Sequence, residues 1–188
     1  MADPVSKSTT PCGVAPADGS IASPAAEHRE AAPQDLKIGI VTISDTRTLE
    51  TDKSGTLLVE RFTAAGYSPA YRSIVRDEIT EIRAAVSQAL LMGLDALILT
   101  GGTGIAPRDR TPEAVVPMFD VELPGFGELF RMLSYEEIGP ASMLSRAVAG
   151  RVERMLVFCL PGSTNAVRLA ADKLLVTELA HLVHHSRG

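Results

Sequence analysis

The stretch Thr100 to Asp109, TGGTGIAPRD, joins a threonine–glycine loop to a carboxylate flanked by Arg108 and Arg110. Glycine allows positive φ and close approach of backbone to a ligand. Successive N–H groups in such a turn can form a concave anion site. Thr100 and Thr103 would add hydroxyl donors, so Thr100, Gly101, Gly102, Thr103 and Gly104 make a candidate phosphate cradle. No Gly-Lys-Ser/Thr follows, and the third glycine of a dinucleotide fingerprint is missing. A plain tight turn between a strand and a helix would have the same composition.

Carboxylates repel a bound phosphate unless a cation lies between them. Asp77 and Asp109 both fall next to strand ends, and Mg²⁺ commonly binds through one or two carboxylates plus substrate phosphates. Singly, each has a simpler reading. Asp77 could cap the helix that follows it, and Asp109 could pair with Arg108 or Arg110 at the surface. Together with the glycines, the two point to a divalent cation.

These residues need strands to position them. LKIGIVTI, AYRSIV, DALILT and RMLVFCL are apolar, β-branched runs that read as buried strands. Between the first three lie helical patterns. Leu57, Leu58, Phe62 and Ala65 would share one face, as would Ile79, Ile82, Val86 and Ala89 or Leu90; Gly66 and Gly93 suit the C′ positions. Alternating strands and helices predict βαβ units and a mainly parallel sheet. SRAVAG and RMLVFCL would form a hairpin. Thr111-Pro112-Glu113 reads as a helix start capped by Thr111. PGFGELFRMLSYEEIG is a further helix. The chain would close on a long helix from Ser163 to about His185, with Ser163 as N-cap and Val167, Ala171, Leu174, Leu175, Leu179 and Leu182 on its apolar face.

Polar clusters follow four of the strand runs: Ser44-Asp45, Arg76-Asp77-Glu78, Thr100 to Asp109, and Pro161 to Asn165. Ligands of open α/β sheets bind outside the carboxyl ends of the strands. Parallel strands would therefore bring these clusters to one edge.

The 188 residues suffice for one domain plus a tail. Residues 1–35 lack leucine and aromatics and are rich in Pro, Ala and Ser, which predicts a disordered tail. Of 18 basic and 23 acidic side chains, two and five lie in that tail, so residues 36–188 are near neutral. No basic stripe suggests nucleic acid, and no apolar run is long enough for a membrane span. Cys12 and Cys159 form no disulfide framework, which fits a reducing cytoplasm. Cys159 reads as a core residue, and His181, His184 and His185 as solvated groups near a helix C-terminus.

TGGTG, RDRTPEA, PGFGELFRMLSYEEIG, SRAVAG and LPGSTNAV, in that order, resemble the MoaB/Mog family of molybdenum cofactor biosynthesis proteins. The resemblance runs from about Lys37 to the last helix. It implies an α/β fold, a three-layer α/β/α sandwich with a mainly parallel sheet (the molybdopterin-binding fold), assembled as trimers or hexamers. It implies an Mg²⁺-dependent adenylyltransferase that joins the phosphate of molybdopterin to AMP from ATP and releases pyrophosphate. Asp77 and Asp109 would be the catalytic, metal-holding carboxylates. Nucleotide and pterin phosphates would contact Ser44, Thr100, Gly101, Gly102, Thr103, Gly104, Ser145, Pro161, Gly162 and Ser163. Many relatives carry PGNPNA where this chain has PGSTNA. The alternative is a non-catalytic molybdopterin-binding protein on the same fold.

Overall fold

The computed structural model describes residues 35–187. The expected tail lies outside the described residues, apart from Asp35. The elements are β1 (Ile38–Ile43), α1 (Lys53–Ala64), β2 (Tyr71–Val75), α2 (Ile79–Leu91), β3 (Ala96–Thr100), α3 (Thr111–Val115), β4 (Val121–Glu122), α4 (Pro124–Ile138), β5 (Val148–Val152), β6 (Met155–Leu160), α5 (Thr164–Ala170) and α6 (Val176–Arg187). The sheet has six strands in the order β2-β1-β3-β6-β5-β4. β2, β1, β3 and β6 are mutually parallel. β5 and β4 extend the sheet antiparallel, and β5–β6 is the expected hairpin.

Period-2 alternation divides the apolar strand residues between two layers. Ile38, Ile40, Ile98, Leu156 and Phe158 face a cluster completed by Leu58 and Phe62 of α1, Phe130 of α4, and Val167, Leu179 and Val183 of the C-terminal helices. Val41, Leu97, Leu99, Val157 and Cys159 face Ile82, Val86 and Ala89 of α2, with Ala114 and Val115 of α3. Helices thus cover both faces, as in the three-layer sandwich expected. Gly66 and Gly93 have the positive φ of C′ residues, 89° and 67°.

Three local expectations change. The C-terminal helix is not uniform, because a π-helical turn, Ala171–Leu175, links α5 to α6. Its buried residues Val167, Ala171, Leu175, Leu179 and Val183 recur every fourth position. An α-helix of 3.6 residues per turn would carry that series around its axis, and the wider π turn restores the phase. Ala65, expected on the buried face of α1, is an exposed C-cap. Thr111 is inside α3, and Arg110 occupies the cap. The Thr111 N–H and hydroxyl instead reach back to the carbonyls of Gly102 (3.0 Å) and Gly101 (2.9 Å).

Candidate functional site

All four polar clusters leave the same edge of the sheet, since β1, β2, β3 and β6 are parallel. They surround a cleft of about 620 Å³. Ser44, Gly101, Gly102, Thr103, Gly104, Ser145, Pro161, Gly162 and Ser163 line it, and so do Asp77 and Asp109. Thr100 does not. It is fully buried, and its hydroxyl donates to the carbonyl of Pro161 at 3.1 Å, tying the two loops together behind the cleft wall.

The glycine loop starts with a strand-like bond, Gly101 N–H to the Leu160 carbonyl at 2.9 Å. Beyond it, the N–H groups of Gly102, Thr103 and Gly104 donate to no group among the described residues. Unpaired backbone donors need water or a ligand. The carbonyls of the loop are occupied. Arg146 N–H donates to Thr103 O (3.1 Å), its Nε to Gly104 O (2.8 Å) and its Nη2 to Asp109 O (2.7 Å). Arg146 Nη1 also pairs with Glu113 on α3. This arginine therefore fastens the loop to the start of β5. It does not offer its charge to the cleft.

The carboxylates are seated by glycines. Gly102 has φ 63°, and a Cβ there would meet Asp77 Oδ2 at 2.7 Å and Thr111 Oγ1 at 2.3 Å. A Cβ on residue 104 would lie 2.6 Å from Asp109 Oδ2. Asp77 does not cap α2. Glu78 holds the cap position without a side-chain bond, and Asp77 Oδ1 accepts from Arg110 N–H at 3.1 Å. Asp109 makes no ion pair with Arg108 or Arg110 within 4 Å; its Oδ2 accepts from Ala106 N–H at 2.9 Å. Both simple readings of these residues thus give way.

Partial burial raises the Asp77 carboxyl above the ordinary aspartate value. The bond from Arg110 opposes this, the negative charges of Asp109 and Asp45 add to it, and Arg108 opposes it again. Three like charges gathered around this loop favour a bound cation. No group of three or more His, Cys, Asp or Glu side chains among the described residues is disposed to hold a metal alone. A cation beside Asp77 and Asp109 would take its remaining oxygens from substrate phosphates and water, which is the habit of Mg²⁺.

Ser44 Oγ accepts from the N–H groups of Thr46 (3.3 Å) and Arg47 (3.2 Å), which turns the chain after β1. Ser163 caps α5, its Oγ accepting from Ala166 N–H at 3.3 Å. Ser145 Oγ accepts from Ala147 N–H, also at 3.3 Å. Sequence reasoning missed Arg47 and the buried Ser134 and Ser142, all on the cleft wall. Ser134 sits four residues after Phe130 on α4. That spacing places it on the helix's inner face, a signal available once the helix is drawn.

Comparison with known proteins agrees with the fold. Residues 39–181 match the family model described as "Probable molybdopterin binding domain". The chain is 49% identical over 167 residues to molybdenum cofactor biosynthesis protein B of Bacillus subtilis (strain 168), spanning 86% of this chain and 96% of that one. A crystal structure of a molybdenum cofactor biosynthesis protein B superposes with TM-score 0.80 at 49% identity, covering 83% of this chain and 98% of that one. The tungsten cofactor synthesizing protein MoaB from Pyrococcus furiosus superposes with TM-score 0.76 at 41% identity, covering 84% and 100%. By sequence match and by fold, the chain belongs to the MoaB/Mog family of molybdenum cofactor biosynthesis proteins.

Proposed function

We propose that this protein is an adenylyltransferase that joins the phosphate of molybdopterin to AMP from ATP, with Mg²⁺, releasing pyrophosphate. The observation that carries the reading is one cleft holding both unpaired loop N–H donors, at Gly102, Thr103 and Gly104, and carboxylates seated beside them, Asp77 and Asp109. Donors alone would suit any anion. Carboxylates among them suit anions that arrive with a cation.

In the reaction, a phosphate oxygen of the pterin attacks the α-phosphorus of ATP. The bond from that phosphorus to the oxygen bridging to the β-phosphate breaks, and pyrophosphate leaves with the electron pair. A phosphomonoester loses its second proton near pH 6, so the chain need not supply a general base. Its own residues bind and align two anions. Gly102, Thr103 and Gly104 in one loop and Gly162 and Ser163 in the other present backbone donors, and Arg108 lies on the cleft wall with no ion-pair partner within 4 Å among the described residues. Held by Asp77 and Asp109, Mg²⁺ would neutralise charge on the leaving group. Positioning of this kind can lower a barrier by several kcal/mol.

The test is pyrophosphate release from ATP plus molybdopterin. It should need both substrates and Mg²⁺, and Asp109→Asn should lower it at least about a hundredfold while the fold persists. The second reading, a non-catalytic pterin-binding protein, gains from Ser163, whose hydroxyl is engaged in capping where many relatives have asparagine. It predicts binding of molybdopterin without pyrophosphate.

A further inference from the structure

Behind the cleft, a polar network runs from a buried carboxylate to the second loop. Asp52 caps α1, and its side chain is fully buried. Its Oδ1 accepts from Gly55 N–H (3.0 Å), and its Oδ2 accepts from the Thr42 hydroxyl (2.7 Å) and Arg72 Nη2 (3.1 Å). Arg47 Nη1 stands 3.8 Å from Oδ1. From there Arg47 reaches Ser54 Oγ through Nη1 and the Gly162 carbonyl through Nη2, both at 3.3 Å. The Ser54 hydroxyl donates to the same carbonyl at 2.8 Å. Gly162 is pressed onto the first loop: a Cβ there would lie 3.2 Å from Gly101 Cα.

We propose that Arg47 and Ser54, oriented by Asp52, are positioning residues that clamp the Gly162 carbonyl and so set the spacing between the two anion-binding loops. Two donors converge on one carbonyl, which fixes both its place and its direction. With that carbonyl turned back to Ser54, the Pro161–Ser163 loop stays seated against Gly101. The spacing matters because each loop would align one of the two reacting anions, so this inference rests on the adenylylation reading. Ser54 is fully buried and outside the cleft lining, so it reaches substrate only through its partners, the Gly162 carbonyl and Arg47.

The experiment compares Ser54→Ala, Arg47→Ala and the double variant, using the full chain, ATP, Mg²⁺ and molybdopterin. Each single variant should lower kcat roughly tenfold or more, with KM for ATP within about twofold, because misalignment acts on the reacting geometry and spares binding. The double variant should be little worse than the poorer single one, since both act on one carbonyl. Amide exchange in peptides covering residues 160–166 should be faster in both. A rise in KM with kcat kept in Arg47→Ala would make Arg47 a substrate contact and overturn the clamp. So would a Ser54→Ala variant with unchanged kcat, or with unchanged exchange. If the unmodified protein releases no pyrophosphate, the adenylylation reading fails separately, and the exchange measurement still decides the clamp.

Discussion

The carboxylate of Asp109 occupies the space that a side chain at Gly104 would need, with a Cβ there 2.6 Å from Oδ2. Gly104 is not among the positive-φ residues, so alanine is conformationally allowed at this position. The substitution should therefore act by pushing Asp109 aside. Gly104→Ala should lower pyrophosphate release about tenfold or more and leave the circular dichroism spectrum unchanged. Wild-type turnover in this variant would show that the seating of Asp109 is irrelevant.

Asp77 lies among like charges, and removing its charge should help folding while harming turnover. Asp77→Asn should raise unfolding free energy by no more than about 0.5 kcal/mol when measured by urea titration without divalent ions. Pyrophosphate release should fall at least about tenfold, the loss expected from the metal-holding role proposed for Asp77. A variant that is both active and less stable would contradict both parts.

The pH dependence follows from the raised Asp77 carboxyl. A group that holds its proton more tightly when folded stabilises the fold fully below its unfolded value. That contribution is lost as pH rises through the folded value. In metal-free protein, Asp77→Asn should remove a component of stability that declines with rising pH just above the ordinary aspartate range. Mg²⁺ bound at Asp77 as proposed would compete with the proton, so added Mg²⁺ should flatten the same component. Thermal melts from pH 3.5 to 7, with and without Mg²⁺, read this directly.

Cys159 is fully buried, and burial pushes its thiol up to about 12. The thiolate is the reactive form, so an aromatic disulfide reagent should leave Cys159 unlabelled in the native protein and label it on unfolding. A Cys12→Ala background isolates the signal. Rapid labelling of the native chain would mean that β6 opens often.

The segment 117–130 is rich in apolar residues. Phe130 is core, and Phe126 packs against it. The uncovered apolar side chains lie mostly further along α4: Leu129, Met132, Tyr135 and Ile138 recur every third residue and are about half exposed. A contiguous patch of this kind suits contact between copies of the chain. Light scattering should give a multiple of the 19.9 kDa chain mass, and Met132→Glu should lower it. A monomer at micromolar concentration would end the idea.

Much of this architecture is legible in the sequence because it is local. Strand runs, C′ glycines and the Ser163 cap depend on neighbours within a few residues. The joint edge of the four clusters follows from parallel pairing, a rule of topology. What stayed hidden depends on contacts distant in sequence. β4 has two residues and exists only because β5 pairs with it. Thr111 looks like a cap, yet its hydroxyl serves Gly101, ten residues back. Arg146 spends its donors on loop carbonyls some forty residues back in sequence, at Gly104 and Asp109. Asp52 caps α1 and Ser54 lies in its first turn, and the bond from Ser54 to Gly162 spans more than a hundred positions.

The free donors at Gly102, Thr103 and Gly104 belong to the main chain. Every residue but proline carries the same N–H, so mutation to any residue except proline leaves these donors' chemistry unchanged. It can alter them only by adding atoms or bending the path. The feature this cradle must inherit is therefore empty space: the missing side chains at 102 and 104, where the two carboxylates lie. Random substitution at Asp77 or Asp109 would remove chemistry, whereas substitution at the glycines would leave every group present and in the wrong place. A mutational scan of the cleft should thus find Gly102 and Gly104, which have no side chain at all, intolerant alongside Asp77 and Asp109.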